Sequence, residues 1–295
     1  MTEAYRTADE RFEGLPDFGF PPRYRETGGL RLAHVDEGEG APVVFLHGEP
    51  TWSFLWRKVI PPVRDAGFRC IAPDLVGFGR SDKPLDQSWY SYDRHTELVA
   101  SLLDDLDVRH ATLVLHDWGG PIGLRIAVEH PDLVARVVAM DTGVFTGHQP
   151  KSQAWHRFAD FVARTEDLPI GLLVRRGCAR DPGDEVAAAY EAPFPERAAK
   201  AGAKAFPALI PLSPDAPGAD AGVRTFAALC SDPRPALLLW GAEDRALPVA
   251  TGQALASALG WPPPQPVAGA GHYLQEDAGP EVGQRIASWL TAGGS

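Results

Sequence analysis

The residue of this chain with the clearest chemical potential is Asp117, which lies at a turn between an apolar segment and a helical pattern. The apolar segment 113–115 predicts a short buried strand, and helical spacing begins at Pro121. A serine at such a strand–turn–helix elbow attacks carbonyl groups. A carboxylate attacking a carbonyl gives an unproductive anhydride, whereas one attacking a saturated carbon gives an ester that water can cleave. Asp117 therefore indicates displacement at an sp³ carbon.

Two further polar residues follow predicted strands, in the chain order Asp117, Asp244, His272. The carboxyl ends of parallel strands meet at one edge of a sheet, and nucleophile, acid and histidine in this order are typical of the α/β-hydrolase fold. Singly, Asp244 reads as a helix cap and His272 as a loop histidine, but the ordered set favours a catalytic triad. Asp141, which also follows a predicted strand, remains the alternative acid. The Gly-x-x-Asp turn favours Asp244.

The loop that reads His-Gly-Glu-Pro at residues 47–50 predicts an anion site opposite the nucleophile. Its tight turn can aim the backbone N–H of Glu49 at Asp117, together with the N–H of Trp118. These two donors would form an oxyanion hole when water attacks the ester carbonyl. Only the backbone of Glu49 is involved, so its side chain is compatible with a solvated surface carboxylate.

Short predicted strands alternate with helices over most of the chain, which predicts an α/β fold with a mainly parallel central sheet flanked by helices. The alternation stops after Asp141. We therefore expect a helical cap at 146–220, inserted between core segments 1–145 and 221–295, with 211–218 as the return linker. The strands are predicted at 30–35, 41–46, 69–73, 113–115, 134–140, 235–240 and 266–268, and the helices at 92–106, 121–130, 248–259 and 281–290.

Composition restricts the partners and the location that we expect. The net charge is −11 and there is no run rich in lysine or arginine, which argues against nucleic acid and against an anionic membrane. No apolar segment resembles a secretory signal or a membrane span, so a cytoplasmic location is expected. The three scattered cysteines, Cys70, Cys178 and Cys230, have no CxxC spacing, so we expect neither disulfides nor a zinc site.

Five segments of the sequence together resemble the haloalkane dehalogenases, in particular the subfamily whose acid follows the strand after the cap. These segments are 47–53, 71–84, 117–120, 190–195 and 271–276. The resemblance implies an α/β-hydrolase core with an inserted helical cap and dehalogenation through a covalent ester on Asp117. It also implies His272 as the general base and no metal or organic cofactor. We expect a monomer whose partners are a small halogenated alkane, a halide ion and water.

The same resemblance implies that Trp118 and Trp155 bind the halide. Carbon-bound halogen is a poor hydrogen-bond acceptor and halide ion a good one, so indole N–H groups would stabilise the transition state more than the substrate. Trp155 is the only tryptophan of the predicted cap, and packing is its alternative role. The pocket-lining positions implied by the family are Pro121, Phe158, Phe206, Pro207, Ile210, Leu247 and Tyr273. Pro121 in place of an aromatic residue, Tyr273 in place of phenylalanine and Asp141 in place of asparagine depart from its pattern.

Three other functions share features with this sequence. An epoxide hydrolase uses the same aspartate and histidine, but it protonates an alkoxide with two cap tyrosines, and this cap contains only Tyr190. A fluoroacetate dehalogenase would carry arginines after the nucleophile, where residues 118–120 read Trp-Gly-Gly. A binding protein that keeps only the fold is disfavoured by the intact triad. Halide release from short bromoalkanes distinguishes all of these.

Overall fold

An eight-stranded sheet forms the centre of the computed structural model, which describes residues 2–149 and 151–294. The order across the sheet is β1-β2-β4-β3-β5-β6-β7-β8. Strands β3 to β8 run parallel, and β2 lies antiparallel to both β1 and β4. This arrangement confirms the predicted α/β fold with a mainly parallel sheet. The strands are β1 Arg23–Thr27, β2 Leu30–Glu37, β3 Pro42–Leu46, β4 Arg69–Pro73, β5 Ala111–His116, β6 Val134–Met140, β7 Ala236–Gly241 and β8 Gln265–Val267.

The central strands carry continuous apolar sequence because helices cover both faces of the sheet. Every residue of β5 and of β7 is buried. Strand β1 was not predicted because its sequence shows no alternation of apolar and polar residues. Its Arg23 and Arg25 are exposed at the edge of the sheet. A separate two-stranded ribbon pairs Ala4–Tyr5 with Lys83–Pro84.

The helices of the core pack in groups around the sheet. Helix α1 packs against α10, and α3 contacts both α2 and α8. Helix α1 was not predicted because Pro61 and Pro62 occupy its first turn, where proline is tolerated. Pro280 suggested a late start for α10, which in fact begins at Leu274 and is kinked at Ala278. The core helices are α1 Ile60–Asp65, α2 Tyr92–Asp105, α3 Gly119–Glu129, α8 Ala219–Leu229, α9 Val249–Leu259 and α10 Leu274–Thr291.

The segment between β6 and α8 is helical, as the sequence predicts. It contains α4 Gln153–Arg164, α5 Ile170–Gly177, α6 Asp184–Glu191 and α7 Ala201–Ala205, followed by irregular turns over 211–218. We use the name cap for residues 146–220; the division into 1–145, 146–220 and 221–295 stays a prediction, and positions 1, 150 and 295 lie outside the described residues. Within the described part of the chain, no helix is long and apolar enough to cross a membrane.

Candidate active site

The elbow that carries Asp117 is a strained and closely packed turn. Asp117 has a φ of +48°, a left-handed conformation that is uncommon for residues other than glycine and often marks functional sites. The next turn needs glycine, because a Cβ on Gly119 would lie 2.1 Å from the carbonyl oxygen of Leu46. A Cβ on Gly48 would lie 2.1 Å from Asp117 Oδ1. The sharp turn therefore presents the aspartate at the carboxyl end of β5.

The Asp117 carboxylate lies between the His-Gly-Glu-Pro loop and the histidine loop. Its Oδ1 accepts a hydrogen bond of 2.9 Å from the backbone N–H of Glu49, and its Oδ2 lies 3.7 Å from Nε2 of His272. Burial raises the pKa of Asp117, but the nearby His272 outweighs burial, and the net pKa lies below its ordinary value. The side chain is 20% exposed, so an ionised carboxylate is accessible to a small ligand.

Asp244 holds the other side of the His272 ring. The Nδ1–H of His272 donates to Asp244 Oδ2 over 2.8 Å, and Asp244 Oδ1 accepts from the backbone N–H groups of Ala246 and Leu247 at 2.7 and 3.0 Å. Burial lowers the pKa of His272, but the charges of Asp244 and Asp117 outweigh it and raise the pKa well above its usual value. The two carboxylates therefore favour the protonated form of this ring.

Asp141, the alternative acid, lies next to Asp244 with a different set of partners. Its carboxyl oxygens accept from the backbone N–H of Gly241 at 3.0 and 3.1 Å, and the residue is fully buried. Burial and the charge of Asp244 raise the pKa of Asp141 well above its usual value, which favours its neutral form. Within the described residues, the carboxylate hydrogen-bonded to His272 Nδ1 is that of Asp244.

Sequence reasoning missed His116, which is hydrogen-bonded to the main chain of His272. Its Nε2–H donates to the carbonyl oxygen of His272 over 2.8 Å, and the two rings lie 4.8 Å apart. Burial, together with the nearby His272, lowers the pKa of His116 to about 3, so its ring stays neutral. Its position as the last residue of β5, directly before the nucleophile, was the available signal.

Trp118 lies in an aromatic wall beside the nucleophile. Its ring contacts Tyr92 at 6.3 Å and both Phe145 and Phe206 at 5.3 Å. No protein group among residues 2–149 and 151–294 accepts its indole N–H, so the donor is available to a ligand. Tyr92 and Phe145 were not predicted, although Phe145 follows closely on β6, at the edge where strand ends converge.

The second predicted halide donor lies on the cap. Trp155 is half-buried on α4, and its ring contacts that of His156 at 5.0 Å. Helix α4 contacts the segment Phe206–Leu209, which brings it near the aromatic wall. Among the described residues, however, the rings that contact Trp118 do not include Trp155.

The predicted pocket positions divide into two groups. Four of them lie next to site residues: Phe206 contacts Trp118, Tyr273 contacts His272 at 5.0 Å, Leu247 donates to Asp244, and Pro121 lies in the first turn of α3. The other three, Phe158, Pro207 and Ile210, lie on the cap in and around the α4 contact.

The side chain of Glu49 is buried, so the expectation of a solvated carboxylate is wrong. It is only 6% exposed, and its Oε1 has no hydrogen-bond partner among the described residues. The reason is that its loop packs inside the site, with Asp117 bound to its backbone. Burial and the charge of Asp117 raise the pKa of Glu49 well above its usual value.

The cap tyrosine Tyr190 is occupied elsewhere. It is fully buried, and its hydroxyl donates to Glu276 Oε1 over 2.5 Å. Glu276 also binds the side chains of Arg57 and Lys58. Tyr190 is therefore part of an ionic cluster between cap and core.

Within residues 2–149 and 151–294, no group of three or more histidine, cysteine, aspartate or glutamate side chains is placed to hold a metal ion.

This chain is similar to known proteins both in sequence and in structure. A family model described as the α/β hydrolase fold matches residues 41–279. A haloalkane dehalogenase of Mycolicibacterium paratuberculosis is 42% identical, with 97% of this chain and 98% of that protein aligned. One from Psychrobacter cryohalolentis is 38% identical, with 97% of each aligned. The tetrameric structure of haloalkane dehalogenase DpaA from Paraglaciecola agarilytica superimposes with a TM-score of 0.91 at 37% identity, covering 97% of this chain and 98% of that one.

Proposed function

Since this chain belongs to the haloalkane dehalogenases of the α/β-hydrolase fold, we propose that Asp117, His272 and Asp244 carry out its reaction. The enzyme hydrolyses the carbon–halogen bond of haloalkanes to give an alcohol, a halide and a proton. The observation that carries the proposal is the accessible, ionised Asp117 carboxylate, bound by the Glu49 N–H and facing His272. An anion held in this way is a nucleophile ready for displacement.

In the first step, an oxygen of Asp117 attacks the carbon that bears the halogen. A carbon–oxygen bond forms, the carbon–halogen bond breaks, and the halide leaves with the electron pair. The indole N–H of Trp118, joined by that of Trp155, donates to the departing ion. Because a halide ion accepts hydrogen bonds far better than carbon-bound halogen, these donors lower the barrier rather than only binding the substrate.

In the second step, His272 removes a proton from water, which attacks the carbonyl carbon of the ester. Esterification makes Asp117 neutral, so one of the two charges that raise the pKa of His272 is lost. The ring then releases its proton more readily and acts as a general base. Asp244 orients the ring, and the N–H groups of Glu49 and Trp118 hold the oxyanion. When this intermediate collapses, the bond to the alkyl oxygen breaks, the leaving alkoxide takes the proton held by His272, and the carboxyl group of Asp117 releases its own proton to become a carboxylate again.

The epoxide hydrolase alternative is not favoured. Opening an epoxide leaves an alkoxide that must be protonated. Tyr190, the one tyrosine of the cap, is fully buried and its hydroxyl donates to Glu276, so it does not supply that proton. The relatives compared above are dehalogenases, which agrees with this exclusion.

Assembly and location are proposed from the sequence. We propose a monomer of 31.8 kDa in the cytoplasm, with no metal or organic cofactor. The tetrameric Paraglaciecola relative supplies the competing hypothesis for assembly. Light scattering coupled to size exclusion distinguishes a monomer from an assembly of four times that mass.

The covalent mechanism is tested by trapping the ester. In His272→Gln, 1,2-dibromoethane should alkylate Asp117, and the ester should persist because its base is missing. Peptide mass spectrometry should locate one bromoethyl group on the peptide that contains Asp117. His130→Gln, which alters an exposed histidine, is the matched control and should turn over without accumulating the ester. A folded His272→Gln protein that forms no adduct would contradict the mechanism.

A further inference from the structure

Asp277, on the first turn of α10, joins the cap to the loop that carries His272. Its Oδ2 accepts the backbone N–H of Ala179 at 2.8 Å and that of Gly271 at 2.9 Å, while its Oδ1 accepts the N–H of Arg180 at 2.9 Å. Ala179 and Arg180 belong to the cap, directly after α5. Gly271 is the residue before the catalytic histidine. One carboxylate thus holds two separate segments of backbone together.

The two segments also contact each other directly. The backbone N–H of His272 donates to the carbonyl oxygen of Gly177 at the end of α5, over 2.9 Å. Their backbones approach so closely that a Cβ on Gly271 would lie 2.5 Å from the Gly177 oxygen and 2.8 Å from the Ala179 nitrogen. Only glycine permits this approach. The end of α5 is therefore part of the scaffold of the histidine loop.

The core fixes the other side of the same loop. His116 donates to the carbonyl oxygen of His272, and Asp244 accepts from its Nδ1. The His272 main chain is thus held from the core through its carbonyl and from the cap through its N–H. If the cap contacts were lost, the core contacts alone would have to keep Nε2 aimed at the attacking water.

Glu276, the acid next to Asp277, makes a different set of contacts. Glu276 also joins cap to core, but through the side chains of Tyr190, Arg57 and Lys58. None of these groups belongs to the segment 270–273. Loosening the Glu276 cluster weakens the attachment of the cap without touching the histidine loop, whereas loosening Asp277 does both.

We propose that Asp277 is a positioning residue, which uses the cap segment 177–180 to hold His272 for the hydrolysis of the alkyl-enzyme. This inference rests on the proposed roles of Asp117 and His272. Displacement of halide by Asp117 uses no general base, so it is insensitive to small movements of His272. Attack by water depends on them, because misplacing a catalytic group by about 1 Å costs roughly 100-fold.

The test is Asp277→Asn in rapid-quench single turnovers with 1,2-dibromoethane. An asparagine keeps one acceptor oxygen and turns its N–H₂ donor toward a backbone N–H group, so at least one of the three bonds is lost and the carboxylate charge is removed. We expect the bromide burst to stay within about 2-fold and the hydrolysis of the ester to slow about 10- to 100-fold. Intact-mass spectrometry should then show the ester accumulating at steady state.

Two control variants separate positioning from general stability. Glu281→Gln removes an exposed charge from the same helix, where it pairs with Arg285, and should leave both steps unchanged. Tyr190→Phe loosens the Glu276 cluster and should lower the unfolding temperature while keeping the ratio of the two rates. If Asp277→Asn does not fold, Gly271→Ala pushes the same segments apart and should give the same accumulation of ester.

Equal slowing of both steps in the folded variant, or unchanged hydrolysis, would overturn the positioning role. Absence of the ester from His272→Gln would instead overturn the covalent mechanism itself, so the two failures are distinguishable.

Discussion

Nε2 of His272 lies 3.7 Å from Oδ2 of Asp117, beyond hydrogen-bond length but within the range of an ion pair. The charge of Asp117 therefore acts on His272 although the two side chains are not hydrogen-bonded to each other. This spacing suits the proposed role of His272, which is to take a proton from water. The Asp117 carboxylate needs no such help, because it is already ionised. It also makes the protonation of His272 depend on whether Asp117 carries its charge.

Asp117→Asn should therefore lower the pKa of His272. The ring is only 12% exposed, and its pKa is raised by the carboxylates of Asp244 and Asp117, which stabilise the imidazolium. Removing one carboxylate weakens that stabilisation, so the proton leaves at lower pH. Histidine Cε1–H resonances followed by NMR measure the shift, with Asp93→Asn as a surface control. An unchanged pKa would contradict the coupling.

The same coupling predicts how the second step depends on pH. Only the neutral ring accepts a proton from water, so ester hydrolysis should slow as the pH falls below the pKa of His272 in the alkyl-enzyme. The pKa in that intermediate lies below that in the free enzyme, because esterified Asp117 is neutral. Halide release in the first turnover should stay constant over this range. A burst that declines together with hydrolysis would count against the division of roles.

Asp244→Asn and Asp141→Asn should affect hydrolysis very differently. Asp244 is the hydrogen-bonded partner of His272, and replacing the acid of a triad by its amide costs about 10⁴-fold by analogy with serine proteases. Asp141 favours its neutral form and accepts from the backbone N–H of Gly241 rather than from His272, so its amide should cost less than about 10-fold. Single-turnover hydrolysis measures both. The reverse ranking would make Asp141 the acid.

Trp118→Phe and Trp155→Phe should each weaken inhibition by bromide. A hydrogen bond to a charged group contributes about 1.5–3 kcal/mol, which corresponds to roughly 10- to 100-fold in affinity. Trp89→Phe, far from the elbow in sequence and half-buried, is the control and should leave inhibition unchanged. Inhibition unchanged by Trp155→Phe would assign that residue to packing within the cap.

Gly119→Ala should destabilise the fold through the elbow. The new Cβ would lie 2.1 Å from the backbone oxygen of Leu46, an atom that cannot move without shifting β3. Overpacking of this kind costs about 1–3 kcal/mol in free energy of unfolding. Gly19→Ala enters open space and should change it by less than about 0.5 kcal/mol. Equal stabilities in urea titrations would show that the elbow relaxes freely.

The sequence alone predicted the parallel strands of the core and the polar residues that follow them, because both depend on local pattern. Buried parallel strands read as apolar runs, and the residues that follow them include Asp117 and Asp141, so topology alone brings these groups to one edge. For the acid, the sequence favoured Asp244 over Asp141 only through its Gly-x-x-Asp turn, because the two acids follow adjacent strands of the same sheet. In the structure, Nδ1 of His272 donates to Asp244.

Other features were hidden because they depend on contacts between distant segments. The burial of Glu49 is set by the way its loop packs against the elbow, which composition does not reveal. Asp277 reads as an acid near a helix start, yet two of its partners come from the cap, about a hundred residues earlier. Strand β1 lacks an apolar alternation because its arginines face solvent.

The most direct test of the account is a single turnover in H₂¹⁸O with enzyme in excess over 1-bromobutane. Water attacks the carbonyl carbon of the ester, so one heavy oxygen should enter the carboxyl group of Asp117, and the alcohol should carry the original aspartate oxygen. Peptide mass spectrometry should therefore show a gain of about 2 Da on the peptide that contains Asp117. An unlabelled Asp117 together with a labelled alcohol would mean that water attacks the substrate carbon directly, which would contradict the covalent mechanism.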